Sequence, residues 1–139
     1  MKLAMRLFRK RTLGFYLGFA SAALMLICTI AFIAMDCTDP ITFFPLVVSL
    51  LLVGAVSEVA VLLFDFAFLP LLPPLFYAPA VGIHGYLALQ SYSDVWNNVH
   101  FVGGNGKLAL VFWILFLVLA IVSVVSAFLS QYRKEQAEE

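Results

Sequence analysis

Apolar and polar positions divide the chain into four long apolar stretches joined by polar ones. The apolar stretches cover residues 13–35, 41–63, 67–89 and 108–130. Each is long enough to cross a hydrocarbon core about 30 Å thick, which takes about 20 helical residues. Helices are the expected form because lipid offers no partners for backbone N–H and C=O groups, so each segment must satisfy its own. A polar turn, 36–40, joins the first two stretches, and a longer polar segment, 90–107, joins the last two. A charged tail, 131–139, comes last. The pattern predicts an all-α integral membrane protein: one membrane domain of four transmembrane helices packed as an antiparallel bundle.

Composition strengthens that reading. Apolar residues make up 64% of the chain and charged residues 12%, against about 45–50% and about 25% in soluble domains. A soluble fold needs a polar shell that this chain cannot supply. The net formal charge is zero, so no overall field points to nucleic acid. The placement of the charges is informative. Lys2, Arg6, Arg9, Lys10 and Arg11 precede the first expected span, Arg133 and Lys134 follow the fourth, and Lys107 alone falls between. Basic residues stay on the cytoplasmic side, so both termini are expected there, in a plasma-membrane protein, with 36–40 and 90–107 outside. Tyr92, Trp96 and Phe101 in the outer segment suit an interfacial aromatic belt. The basic start followed by an apolar run also has the form of a secretory signal. The run is as long as a full span, Ala20-Ser21-Ala22 comes too early for cleavage, and no small residue precedes Cys37, so an uncleaved anchor is expected. Cys28 and Cys37, along a helix rising about 1.5 Å per residue, are too far apart to bridge.

The junction of the second and third spans is the hardest to place. Asp65 is its only charge, and Pro70, Pro73, Pro74 and Pro79 crowd the residues beyond it. Proline is accepted in the first turn of a helix and disfavoured beyond it. The third helix therefore starts either near Pro70 with a kink at Pro79, or at Pro73 and runs to about Tyr92. A re-entrant segment is the remaining option.

Helices in lipid meet through small and weakly polar side chains. Three such stripes occur at helical spacing: Gly14, Gly18, Ser21, Met25 and Cys28; Gly54, Ser57, Glu58, Val61 and Asp65; and Ala120, Ser123, Ser126, Ala127 and Ser130. They are expected to pack inward, with the opposite faces, rich in Leu, Val, Ile and Phe, meeting lipid. Glu58 is the most suggestive residue, since an acid inside a span costs about 2.5–3.5 kcal/mol on insertion scales and usually faces an interior or a water path. It reads either as a proton- or cation-coupling site or as a neutral acid bonded to serines. Counting down from the outer ends of the second and fourth spans places Glu58 at the depth of Ser123 and Ser126, the expected neighbours. Arg11 is the competing partner. His84, between Gly82 and Gly85, has no second His or Cys at ligand spacing, so an interhelical hydrogen bond is expected of it and close helix packing of its glycines. The candidate intramembrane polar site is Glu58, Ser57, Ser123, Ser126 and His84.

Other motifs carry less. Gly103-Gly104-Asn105-Gly106-Lys107 lacks the spacing and the strand of a phosphate loop and reads as a glycine turn opening the fourth helix. Asp94, Asn97, Asn98 and His100 read as a solvated loop, and Asp36 and Asp39 as turn chemistry. No catalytic triad, paired carboxylates in one span, cofactor motif or metal-ligand spacing emerges, and the chain is not expected to be an enzyme. Its size and span count resemble the small multidrug-resistance transporters in layout alone. Their intramembrane Glu belongs to the first helix, whereas here that helix has no acid, so no function carries over. The lipid bilayer is one expected partner. Two functions remain: an accessory or structural subunit of a larger membrane complex or homo-oligomer, or a small oligomeric transporter or channel built around Glu58.

Overall fold

The structure, a computed structural model, describes residues 12–34, 45–64, 66, 68–99 and 106–129. All regular structure among these residues is helical. Helix α1 spans Leu13–Ala34 and α2 Pro45–Leu63; a short 3-10 turn, Leu69–Leu71, leads into α3, Leu72–Leu87. A brief α4, Leu89–Trp96, comes directly after, and α5 runs Gly106–Phe128. Two of these, α1 and α5, are long and apolar enough to cross a membrane; the apolar stretch Pro45–Val61 of α2 is shorter.

The proline cluster decides how α3 begins. Pro70 sits in the first turn of the 3-10 segment, and Pro73 and Pro74 in the first turn of α3, where their missing N–H groups would have had no helical acceptor. Pro79 lies inside α3. The helix thus begins between the two starts that the sequence suggests, and is shorter than the expected stretch 67–89. The chain compensates past Leu87. Ala88 donates its N–H to the His84 carbonyl at 2.9 Å and accepts from the Tyr92 N–H at 3.0 Å, so the hydrogen-bonded run continues across the break into α4. Part of the expected outer segment 90–107 is therefore helical. Tyr92 does not join an interfacial belt: it is buried. Trp96 is 84% exposed and remains available to an interface, whereas Phe101 lies outside the described residues.

The four longer helices pack side by side. α1 lies against α5 and α2, α2 against α3, and α3 against α5, which closes a ring. α1 and α5 run in opposite directions: a Cβ at Gly18 would touch Ser126, while Phe32 meets Phe116 edge-on with ring centroids 5.8 Å apart. The stripe of α1 faces inward at Gly14, Gly18, Ser21 and Met25, with Cys28 half-buried. In α2, Gly54, Glu58 and Val61 are buried, and in α5, Ala120, Ser123 and Ser126. Asp65 and Ser130, expected on these faces, lie outside the described residues.

The core departs from the sequence reading in its use of phenylalanine. Phe15, Phe32, Phe112 and Phe116 are inside, although the sequence pattern expects phenylalanine on the lipid faces. Phe32 contacts both Phe112 and Phe116 edge-on at 5.8 Å. Edge-to-face rings pack closely at this separation. Small residues draw the helices together at the Gly18 level, and aromatic rings fill the interior at the Phe32 level.

Candidate functional site

Glu58 sits on α2 with 4% of its surface exposed. Its surroundings can be read from the glycine opposite. A Cβ built on Gly18 of α1 would lie 2.5 Å from Ser126 Oγ of α5 and 3.1 Å from Glu58 Oε1. The absent side chain of Gly18 therefore lets an acid from α2 and a hydroxyl from α5 converge on one point beside α1. Three helices contribute to that point, as they do wherever small residues let backbones approach.

Two nearby serines are engaged locally. Ser57 is half-buried and donates to the Gly54 carbonyl at 2.6 Å; Ser21 donates to the Gly18 carbonyl at 2.8 Å. Such back-bonding satisfies a hydroxyl within its own helix, so Ser57 does not serve Glu58 as a hydrogen-bond donor. Ser123 is buried one turn from Ser126 on the same face of α5. Arg11, the other partner considered for Glu58, lies outside the described residues.

His84 occupies a second polar centre toward the other end of the ring. Its Nε2 is hydrogen-bonded to the Tyr92 hydroxyl at 2.6 Å, and Phe32 meets its ring edge-on at 5.6 Å. The bond joins α3 to the adjoining α4. Its Nδ1 is buried without a partner. Gly85 makes the close approach here: a Cβ on it would stand 2.8 Å from Trp113 Cζ2 of α5. The Trp113 indole N–H donates to the Val81 carbonyl at 3.1 Å. Gly82 has open space where a Cβ would be, so only one of the two glycines around His84 serves packing.

Sequence reasoning missed Tyr77. It is fully buried on α3, and its ring abuts Gly54 so closely that a Cβ there would overlap Cε1 and lie 2.7 Å from Cδ1. Its hydroxyl has no hydrogen-bond partner. The proline cluster around it hid the signal. Tyr77 and His84 are seven residues apart, two helical turns, and so share one face.

No group of three or more His, Cys, Asp or Glu residues that could hold a metal ion occurs among the described residues. A groove of about 640 Å³ between α3 and α5 is lined by Gly82, Gly85, Trp113, Leu117, Ala120 and Ile121, among other residues. It lacks the convergent polar groups that orient a substrate. Comparison with protein-family models, with curated proteins and with solved structures gives no match.

Proposed function

We propose that this chain is a plasma-membrane protein whose four longer helices all cross the bilayer, with both termini cytoplasmic, and that it acts without catalysis as an accessory or structural subunit of a larger membrane complex or homo-oligomer. The observation that carries this reading is inverted polarity. Ser21, Thr29, Glu58, His84, Ser123 and Ser126 are buried, while Ile27, Val56, Leu75 and Ile121 are each more than half exposed on α1, α2, α3 and α5. Only 33% of the most apolar stretch of α1 and 28% of that of α5 is buried. The core helix of a soluble protein hides its apolar surface, whereas a helix in lipid leaves it outward. The shorter α2 and α3 show the same outward apolar faces as α1 and α5, which supports four crossings. The 3-10 turn Leu69–Leu71 adds apolar length before α3.

A second reading is favoured by Glu58 itself. An acid buried against Gly18 and Ser126 in the middle of the ring is costly to keep in lipid, and that cost is explained if the group couples proton or cation movement. One experiment separates the two. The purified chain is reconstituted into vesicles and pH-dependent flux is measured. Flux that disappears in Glu58→Gln supports the transporter. A parent without flux, which instead copurifies with a membrane partner or with itself from mild detergent, supports the accessory subunit.

A further inference from the structure

Of the two buried side-chain polar atoms without partners among the described residues, one belongs to a ring packed against α2 one turn from Glu58. Tyr77 is wholly enclosed and its hydroxyl is unpartnered. A Cβ on Gly54 would lie 3.2 Å from Tyr77 Cζ, the carbon that bears the hydroxyl. Gly54 and Glu58 are four residues apart on α2, so they occupy one face, one turn from each other. The Tyr77 ring therefore lies against α2 one turn before Glu58, and its unpartnered hydroxyl is enclosed there. On its other side the carboxyl is bounded by Gly18 and Ser126.

We propose that Glu58 and Tyr77 form one proton-binding site inside the helix ring, with the Tyr77 hydroxyl as the hydrogen-bond partner of the carboxyl in both of its charge states. The inference rests on the transporter reading of Glu58 and names its ligand. A phenol suits the task because it both donates and accepts. With the carboxylate ionised, the Tyr77 O–H donates to a Glu58 oxygen. When a proton arrives from the aqueous phase, it forms an O–H bond on the carboxyl, which then donates to the Tyr77 oxygen. The phenol keeps its own proton throughout, and no other reactant is needed. In the proposed site the carboxyl turns about its side-chain torsions from the Gly18 side, where the structure places it, toward the Tyr77 hydroxyl, to which it is not bonded in the structure.

Among the described residues, few other groups lie near the pair. α1 offers Gly18 and Ser21, and α5 offers Ser123 and Ser126, none of them titratable. Tyr16 of α1 is exposed, Cys28 lies ten residues beyond Gly18, and Lys107 stands at the opposite end of α5. α2 adds Ser57, bonded to Gly54. On α3, His84 is two turns away and engaged with Tyr92.

The test is infrared difference spectroscopy of the full chain in lipid vesicles through a pH titration, with ring-labelled tyrosine. The carboxyl band is assigned by its loss in Glu58→Gln. The expected result is that this band and one tyrosine C–O band change in the same pH step. The tyrosine component should vanish in both Tyr77→Phe and Glu58→Gln. In Tyr77→Phe, which keeps the ring against Gly54, the protonated-carboxyl band should move to higher wavenumber for want of its partner. A Glu58 carboxyl that titrates with no tyrosine change, or a Tyr77→Phe spectrum superimposable on that of the parent in the carboxyl region, overturns the proposal. Coupled bands in a protein that conducts no protons would uphold the site and reject transport; flux through Glu58 without coupled bands would do the reverse.

Discussion

Gly18→Leu should destabilise the protein by about 3 kcal/mol, at the upper end of what overpacking a filled interior costs. The position is tight even for a single methyl: a Cβ would stand 2.5 Å from Ser126 Oγ and 3.1 Å from Glu58 Oε1, so these side chains would have to shift. A leucine adds three more carbons to that space and must push α5 or α2 away from α1. The displacement would also separate the acid from the hydroxyl beside it, so the packing loss and the polar loss fall together. Leu24→Ala provides the comparison. Leu24 is half exposed on the opposite side of α1, and substitutions at such positions usually change stability by less than about 0.5 kcal/mol. Thermal denaturation of both variants in one detergent reads the difference. Equal effects would show that the Gly18 face is not the packed one.

Gly54→Ala and Gly82→Ala should move stability in opposite directions, although both replace a helical glycine. In either helix the alanine gains about 1 kcal/mol of propensity. At Gly82 nothing lies within reach of the new methyl, so the gain should be realised and the melting temperature should rise. At Gly54 the methyl would overlap the ring of Tyr77. That ring is rigid and fully buried, so it cannot rotate out of the way. Overpacking of this kind costs about 1–3 kcal/mol, enough to outweigh the propensity gain. The variant should melt below the parent, and Gly54→Ala combined with Tyr77→Leu should recover part of the loss. A Gly54→Ala protein as stable as Gly82→Ala would mean that α2 and α3 do not approach as closely as described.

The helical class and the inward small faces were legible because their signals are local. Twenty apolar residues in a row need no neighbour to be recognised, and Gly18, Ser21, Ser123 and Ser126 reveal their shared faces by spacing alone. The pairing of Glu58 with the Ser126 level was also within reach, since depth can be counted in residues along helices of known rise. What escaped depends on tertiary context. Phe32, Phe112 and Phe116 are as apolar as the residues facing outward, so nothing in their chemistry marks them as interior; only the width of the gap between helices selects them. Tyr77 stands in a proline-rich run whose helical phase is uncertain by several residues from sequence, and without that phase its face cannot be assigned. Tyr92 looks interfacial because tyrosine often is. It turns inward because the helical run crosses Ala88, which brings its hydroxyl to His84. The start of α3 falls between two alternatives because prolines constrain a first turn without saying which of several prolines opens it.

The central claim is that all four long helices cross the membrane, and the link between α2 and α3 tests it most directly. Phe66 lies in that link and is 66% exposed. Four crossings with a cytoplasmic N-terminus place residue 66 in the cytoplasm and Cys37 outside. If only α1 and α5 crossed, both positions would be outside. Two single-cysteine proteins decide the matter: one retaining Cys37 with Cys28→Ser, the other carrying Phe66→Cys with Cys28→Ser and Cys37→Ser. A membrane-impermeant thiol reagent applied to intact cells should label the first, and should label the second only after lysis. Labelling of the Phe66→Cys protein on intact cells would contradict the four-span account.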